Sequence, residues 1–353
     1  MNILYLVSFN LSEKKGLGLI TKNKINALRK LVDNVYVISS PFKNSYLRVL
    51  FGFVLDLKAL LYIFRYRPEF VISRGPVGFF TTLCARLVGA KTVREVHAYA
   101  LEEVKLLSYK GLNRFFLKVM ATFAHYIDLK ADLRIFNHPD LLEFYSTMGY
   151  TKKFDFYVYN GYSIDNLSSL TREQACEKFG LSTERKYLVF VGSATKWHGI
   201  EYIVELQKEF IKNNDSIQVV CGGASIAEFD PENVCLNFSP LDAVNCGHLI
   251  KAANLCLLPV INNRVSPGSP LKLYDYIVNE RLVVAQEGMI GYCDEVLKYN
   301  VGFCVDFSNP ITAREKIQTY LSLKSKNIQY PLAPVSWEDR MVEWLDGMKR
   351  IKD

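Results

Sequence analysis

Short runs of β-favouring apolar residues alternate with longer segments of helical periodicity, and this alternation restricts the fold more than any other feature of the chain. Strands separated by helical segments are typical of a parallel sheet that carries helices on both faces. In the first half of the sequence the predicted strands are Ile3 to Ser8, Val35 to Ser39, Phe70 to Ser73, Thr92 to Val96, Leu133 to Phe136 and Phe156 to Tyr159.

The alternation begins again after a polar stretch, Ser163 to Lys186. A chain of 353 residues with 50% hydrophobic content is long enough for two cores. We therefore predict an α/β fold of two doubly wound domains, residues 1–165 and 166–335, facing a cleft where ligands of such sheets usually bind. The predicted strands of the second half are Tyr187 to Val191, Ile217 to Cys221, Val234 to Asn237, Leu255 to Leu258, Leu282 to Ala285 and Gly302 to Val305.

The positive charge of the chain is concentrated in the first domain. The formal net charge is +7, and residues 1–165 contain 23 Lys and Arg against 13 Asp and Glu, whereas the remainder contains 20 against 23. Such asymmetry indicates an anionic partner for the first domain, either nucleic acid or an anionic membrane surface. No nucleic-acid-binding module accompanies the charge, so we do not expect a nucleic-acid partner.

Two segments of this basic domain are amphipathic, Lys43 to Arg67 and Lys105 to Lys130. Their apolar faces either lie on a membrane surface or pack on the sheet, as the helices of any doubly wound domain do. The longest apolar region, Val49 to Phe64, is interrupted by charges and is too short to span a bilayer. The start of the chain lacks a basic n-region, so we expect a cytoplasmic protein that is peripheral on the inner face of the membrane.

The eight cysteines form no CxxC pair and mostly lie in apolar runs, so we expect buried free thiols in a reducing compartment. The five histidines show no metal-binding spacing, and no metal site or cofactor is predicted.

A turn suited to phosphate precedes a predicted helix in the segment SPGSPLKLYDY, Ser266 to Tyr276. Gly268 and Ser269 lie between two prolines and offer amide donors where the helix begins, after Pro270. Lys272 in the first turn adds a positive charge to the helix N-terminus, and Asp275 lies on the same face. The alternative is an ordinary capped helix with a solvated Lys–Asp pair.

Further candidates for chemistry lie after other predicted strands. Gly16 and Gly18 precede a helix, a pattern that lets the diphosphate of a donor approach the backbone and the helix N-terminus. The dinucleotide fingerprint lacks its third glycine, which argues against NAD. His97 ends the Thr92 strand and is either structural or part of a site at the sheet edge. The strand after Lys186 runs through Gly192 and Ser193 into a loop whose cations meet a diphosphate or are solvated. These loop cations are Lys196 and His198.

Taken together, these stretches resemble the retaining, nucleotide-sugar-dependent glycosyltransferases of the GT-B fold, which have two Rossmann-like domains and include bacterial polysaccharide and lipopolysaccharide transferases. The resemblance covers nearly the whole chain. SPGSPLKLYDY is similar to the signature GxPxKxxEY. The other similar segments are the glycine loop Gly16 to Gly18, EVH at Glu95 to His97, NGYSID at Asn160 to Asp165, VGSATKWHG at Val191 to Gly199 and the closing helix of residues 336–353, expected to cross back to the first domain.

The resemblance implies that Lys272 meets the donor phosphate, that Asp275 binds the nucleotide ribose and that His97 lies near the donor sugar. Two departures stand out: Asp275 replaces the usual glutamate, and Pro267 stands where the family has a second acid. Ser193 and His198 replace an arginine and a lysine, so phosphate charge would rest on Lys196, Lys272 and His198.

We therefore predict transfer of a sugar from a nucleotide diphosphate sugar to a membrane-associated glycan or lipid-linked acceptor, with retention and without a metal. The second domain is expected to bind the nucleotide and the first the acceptor. Because Pro267 removes an acid, the alternative is an inactive nucleotide-sugar-binding protein or assembly scaffold.

Overall fold

Two parallel sheets organise the residues that the computed structural model describes, namely 1–12, 16–42, 45–106, 111–162, 167–261, 269–289, 291–323 and 336–351. These residues form two compact units, and each is described by itself. The first unit contains residues 1–160 and 336–351, and the second contains residues 161–261 and 269–323.

The first unit is built on a six-stranded parallel sheet with the order β2-β1-β3-β4-β5-β6. β1, β3 and β5 are buried almost throughout, as expected for strands covered on both faces. The strands are β1 (Asn2–Val7), β2 (Asn34–Ser39), β3 (Phe70–Arg74), β4 (Lys91–Val96), β5 (Leu133–Phe136) and β6 (Phe156–Tyr157). The helices between and after them are α1 (Gly16–Leu31), α2 (Ser45–Tyr66), α3 (Phe79–Ala85), α4 (Ala100–Leu106), α5 (Gly111–Lys130) and α6 (Pro139–Thr147), and a 3-10 turn, Arg86–Val88, follows α3.

The second unit repeats the design with the strand order β12-β11-β10-β7-β8-β9, again all parallel. Its strands are β7 (Lys186–Gly192), β8 (Ile217–Gly223), β9 (Leu236–Phe238), β10 (Leu255–Leu258), β11 (Val283–Gln286) and β12 (Gly302–Val305). Its helices are α7 (Arg172–Lys178), α8 (Ile200–Lys212), α9 (Ala243–Ala252), α10 (Leu271–Val278), α11 (Cys293–Lys298) and α12 (Pro310–Ser322), with a 3-10 turn at Lys196–His198 before α8.

Each predicted strand overlaps an observed strand, which confirms the α/β fold of two doubly wound sheets. The boundaries differ most at β9, which begins at Leu236 and not at Val234. There the backbone N–H groups of Val234 and Cys235 donate to the Asp230 carboxylate, at 3.0 and 2.9 Å, so a side chain takes the donors that a ladder would use.

The last helix, α13 (Trp337–Lys349), belongs to the first unit and packs on α1. The Lys24 ammonium of α1 lies 4.5 Å from the ring centroid of Trp337 and 5.1 Å from that of Trp344. Arg340 Nε donates to the Asn160 carbonyl at 3.1 Å. Cation–π contacts and one buried hydrogen bond therefore join α13 to the body of this unit.

One expectation about the cysteines is wrong, since Cys293 and Cys304 form a disulfide. α11 begins at Cys293 and β12 contains Cys304, and these elements lie side by side with the two Cα atoms 5.8 Å apart, a separation that a disulfide spans. The fold brings the two cysteines together, and since they are 11 residues apart they form no short motif in the sequence. The other six cysteines are free thiols as expected; four of them are buried, whereas Cys84 and Cys246 are half-buried.

Among the described helices, none combines the length and the apolar character that crossing a bilayer requires. The two segments that were predicted to be amphipathic correspond to α2 and to α4 with α5.

Candidate functional site

The end of β7 and the start of α10 come together in the second unit. Gly192, the last residue of β7, has φ +132°, and a Cβ there would lie 2.4 Å from Lys272 Cε and 3.3 Å from Nζ. The Lys272 ammonium lies 5.1 Å from the centroid of the Phe190 ring. Glycine at position 192 therefore leaves the space through which the lysine passes over the carboxyl end of the strand.

Two tyrosines of α10 fix the position of this lysine. The Val191 N–H donates to Tyr276 Oη at 3.2 Å, and this hydroxyl donates to the Leu257 carbonyl at 3.1 Å, which ties α10 to β7 and β10. Tyr274 Oη donates to the Glu295 carboxylate and lies 3.2 Å from Ser269 Oγ. Burial raises the pKa of both phenols well above their usual value, so both remain protonated hydrogen-bonding groups.

The loop before α8 is more ordered than the sequence indicated. It forms the 3-10 turn Lys196–His198, in which His198 is buried and its Nδ1 lies 2.7 Å from Thr195 Oγ1 and 3.4 Å from Ser193 Oγ. The ring of Trp197 contacts that of His198 in a tilted arrangement, with the centroids 3.7 Å apart. His198 is thus part of a packed, hydrogen-bonded turn, and its predicted contact with a diphosphate stays a prediction.

Of the remaining candidates of the second unit, some lie among the described residues and others do not. Ser269 is buried, Pro270 occupies the N-cap of α10, and Asp275 is half-buried on that helix, where its carbonyl accepts from Asn279 Nδ2 at 2.8 Å. Gly268, Pro267 and the side chain of Lys196 lie outside the described residues.

A buried cluster of charges occupies the carboxyl edge of the first sheet. The Glu95 carboxylate, 1% exposed, accepts from Tyr5 Oη at 2.5 Å and from the Lys24 ammonium, and Arg74 Nη1 lies 3.1 Å away. His97 Nε2 also contacts this carboxylate. Burial alone would raise the pKa of Glu95, but the cationic neighbours lower it well below its usual value, so the group stays ionised.

His97 is held by both ring nitrogens. Nε2 contacts the Glu95 carboxylate, so Nε2 carries the proton and Nδ1 is left to accept from Asn137 Nδ2 at 3.4 Å. Burial, with the Arg74 guanidinium, lowers the pKa of His97 to about 3 in spite of the carboxylate. The imidazole is therefore neutral near pH 7, with a fixed tautomer and orientation.

The cluster carries more positive than negative charge. Burial lowers the pKa of Lys24 to about 8, the Glu95 carboxylate opposing that shift, so near pH 7 two cations, Lys24 and Arg74, face one carboxylate. Arg74 Nη1 also donates to Thr21 Oγ1 at 2.8 Å, at the position where a dinucleotide fingerprint would have a glycine.

Gly16 and Gly18 lie inside the first turn of α1, which begins at Gly16, and so do not precede the helix as predicted. The sequence reasoning also missed Lys24, Arg74 and Asn137. A usable signal existed for two of them, since Arg74 ends β3 and Asn137 follows β5, the same edge at which His97 follows β4. Among the described residues, Asn137 Oδ1 is a buried acceptor that has no hydrogen-bond partner.

Comparison with solved structures finds chains that match this one along its whole length. A glycosyltransferase from Rickettsia africae is 14% identical, with a TM-score of 0.71, covering 100% of this chain and 98% of its own. The sucrose-phosphate synthase of Thermosynechococcus elongatus is 13% identical, with a TM-score of 0.70 and coverage of 100% and 94%. Anabaena HepE in complex with UDP-glucose is 14% identical, with a TM-score of 0.65 and coverage of 99% and 95%.

No protein-family model and no curated sequence matches the chain. At 13 to 14% identity the structural matches establish the fold, which is that of the GT-B glycosyltransferases with two Rossmann-like domains. The fold that the motifs predicted is thereby confirmed.

Proposed function

We propose that this protein is a glycosyltransferase that moves a sugar from a nucleotide diphosphate sugar to a hydroxyl of its acceptor. The observation that carries the proposal is Lys272, which is held over Gly192 by the clamped helix α10 at the carboxyl edge of the second sheet. Ligands of parallel α/β sheets bind at this edge. The fold is shared with HepE, whose structure contains UDP-glucose.

The chemistry follows from the charge that develops on the departing diphosphate. The Lys272 ammonium in the first turn of α10, together with the amides at that helix N-terminus, is suited to stabilise that charge. We propose five further donor contacts: Ser193, Lys196, His198, Gly268 and Ser269. We assign Asp275 to the nucleotide ribose.

The first unit is proposed to bind the acceptor, and its candidate groups have distinct roles. His97, neutral and held by Glu95 and Asn137, is proposed to position the transferred sugar. Gly16 and Gly18 open α1, and the amides at this helix N-terminus are proposed to contact the donor diphosphate. Retention at the anomeric carbon is part of the proposal and is read from the anomeric proton coupling of the product.

The acceptor is proposed to be a membrane-associated glycan or lipid-linked sugar, used in the synthesis of a cell-surface polysaccharide or lipopolysaccharide at the inner face of the cytoplasmic membrane. The basic character of residues 1–165 supports an acceptor side that faces an anionic surface.

The test begins with a panel of nucleotide sugars that includes UDP-glucose. Thermal shift measures their binding, and release of the free nucleotide in the absence of an acceptor measures their slow hydrolysis. A ligand present at 100 times its dissociation constant adds about 2.7 kcal/mol to the unfolding free energy of the unit that binds it. With the donor found, Lys272→Ala is expected to lower turnover about 100-fold or more, because it removes charge that meets the leaving group.

Lys316→Ala is the matched control, since Lys316 belongs to the same unit and makes an exposed ion pair with Glu287. It should leave turnover unchanged. Equal rates for Lys272→Ala and Lys316→Ala would remove Lys272 from the mechanism. Tight nucleotide binding without any turnover would instead favour the binding-protein alternative that Pro267 raises.

A further inference from the structure

The outward face of α2 is apolar and basic. Every exposed position from residue 51 to residue 66 is either hydrophobic or cationic. Leu61, the most exposed of the apolar residues, has 72% of its surface open to solvent. The apolar members are Phe53, Val54, Leu57, Leu61 and Phe64, and the cations are Lys58 and Arg65.

Two neighbouring elements continue this surface. α3 and its 3-10 turn expose Phe80, Leu83 and Leu87, the last with 77% of its surface open to solvent. α5 exposes four aromatic side chains: Phe115, Phe116, Phe123 and Tyr126. A helix that served only to cover the sheet would have polar residues at such positions.

Ring contacts join the three helices into one surface. Phe53 of α2 lies 6.2 Å from Phe80 of α3, centroid to centroid. Phe79, adjacent to Phe80, lies 6.1 Å from Phe123 and 5.5 Å from Tyr126 of α5. The exposed apolar residues of α2, α3 and α5 are therefore contiguous, and we call them the three-helix face.

The charge on the three-helix face has one sign among the described residues. The two acids of these helices point inward: Asp56 accepts from the N–H groups of Phe80 and Thr81 at 2.8 and 2.9 Å, and Asp128 accepts from Arg94 Nε at 2.5 Å. The exposed cations, in contrast, flank the apolar side chains. They are Lys58, Arg65, Arg86, Arg114, Lys118 and Lys130, of which Arg86 is paired with Asp132.

We propose that the three-helix face rests on an anionic lipid bilayer, with its apolar side chains in the interfacial region and its cations among the headgroups. Apolar and aromatic side chains bordered by Lys and Arg fit that environment, where each cation near the surface adds attraction to anionic lipid. The inference rests on the proposed function, because it names the surface that would bring the enzyme to a membrane-associated acceptor.

Two other occupants fit the observations less well. A second copy of the chain would bring like charges together, since the flanking groups are cationic. A nucleic acid would meet the cations and the rings, but exposed aliphatic residues such as Leu57, Leu61 and Leu87 offer bases no stacking surface.

The experiment measures sedimentation of the full chain with vesicles of phosphatidylglycerol in phosphatidylcholine, and with vesicles of phosphatidylcholine alone. We expect binding to the anionic vesicles that is lost at high salt. The variant Lys58→Gln with Arg65→Gln should weaken it about 10-fold or more, because two surface cations are removed. The variant Leu57→Ser, Leu61→Ser and Phe64→Ser should also weaken binding to the anionic vesicles, because it removes apolar side chains from the interfacial region.

Matched controls come from the second unit. Val244, Leu297 and Ile311 are 50%, 57% and 51% exposed, close to the 58% and 54% of Leu57 and Phe64, and their serine triple variant should bind as the unmodified chain does. Lys208→Gln with Lys316→Gln is the control for charge.

Equal vesicle binding by the three-helix and control variants would overturn the proposal. If the chain is a dimer on size exclusion and the triple serine variant of α2 is a monomer, the three-helix face binds a second copy instead. If the chain binds duplex DNA in a salt-sensitive way and does not bind vesicles, the face binds nucleic acid. Thermal shift with UDP-glucose is run on every variant, so that failure of donor binding is distinguished from failure of membrane binding.

Discussion

The carboxyl edges of the two sheets are built in different ways. In the first unit the edge is filled by charged side chains that pair with one another around Glu95. In the second it is formed by the glycine end of β7, over which one lysine of α10 passes. A charge cluster paired inside the protein fixes the orientation of a group such as His97, whereas a glycine strand end lets a ligand approach the backbone.

The largest effect is expected from breaking the first of these edges. Glu95→Gln removes the carboxylate that faces two buried cations, Lys24 and Arg74, and should lower the unfolding free energy of the first unit by about 3–5 kcal/mol. Urea unfolding followed by tryptophan fluorescence measures this unfolding free energy in a Trp197→Phe background. The remaining tryptophans, Trp337 and Trp344, both belong to the first unit.

The same variant combined with Lys24→Met serves as the control. Removing one cation with the carboxylate should recover part of the lost stability, since the cost lies in unpaired buried charge. If Glu95→Gln destabilises the unit by less than about 1 kcal/mol, the cluster is not the paired network described above.

Much of the fold follows from the sequence, because strand and helix periodicities are local properties. Every predicted strand was confirmed, and so was the pair of doubly wound sheets. The disulfide of Cys293 and Cys304 was not predictable in the same way, since tertiary packing places β12 beside α11.

Part of the candidate site was also predictable, because local periodicity locates the ends of strands and helices. Lys272 and His97 adjoin strand or helix ends that the pattern locates, so their neighbourhood was predictable. Lys24 was not, because it lies in the middle of an amphipathic helix where a lysine normally faces solvent. Only the packing of α13 on α1 and the ion pair with Glu95 of β4 explain its burial.

An intermediate effect is expected at the second edge. Gly192→Ala places a Cβ 2.4 Å from Lys272 Cε at φ +132°, so it should cost about 1–3 kcal/mol in stability and displace the lysine. Weaker thermal stabilisation by UDP-glucose, or by whichever nucleotide sugar the panel identifies, measures the displacement.

Gly180→Ala separates the effect of backbone strain at a positive φ from the effect of displacing Lys272. Gly180 also has a positive φ, +63°, but its added Cβ would meet nothing within 4 Å. It should lose some stability and keep its nucleotide affinity. If both variants bind the nucleotide as the unmodified chain does, the passage of Lys272 over Gly192 is not what shapes the second edge for its ligand.

The smallest effect, over the first pH unit below about 6.5, concerns the protonation of His97 at the first edge. Burial lowers the pKa of this imidazole to about 3 from its usual 6.5, so between these values the unfolded chain binds a proton that the folded chain does not. The unfolding free energy should therefore fall as the pH falls from about 6.5, by up to about 1.4 kcal/mol per pH unit, and His97→Gln should remove that part of the slope.

Imidazole NMR provides the direct measurement, with His97 expected as the Nε2–H tautomer without titration from about pH 8 to about pH 5. A midpoint near 6.5 would show that Glu95 does not hold the ring in a fixed, half-buried position. The first edge would then be as open to solvent as the ends of ordinary strands, and the contrast with the second would rest on Lys272 alone.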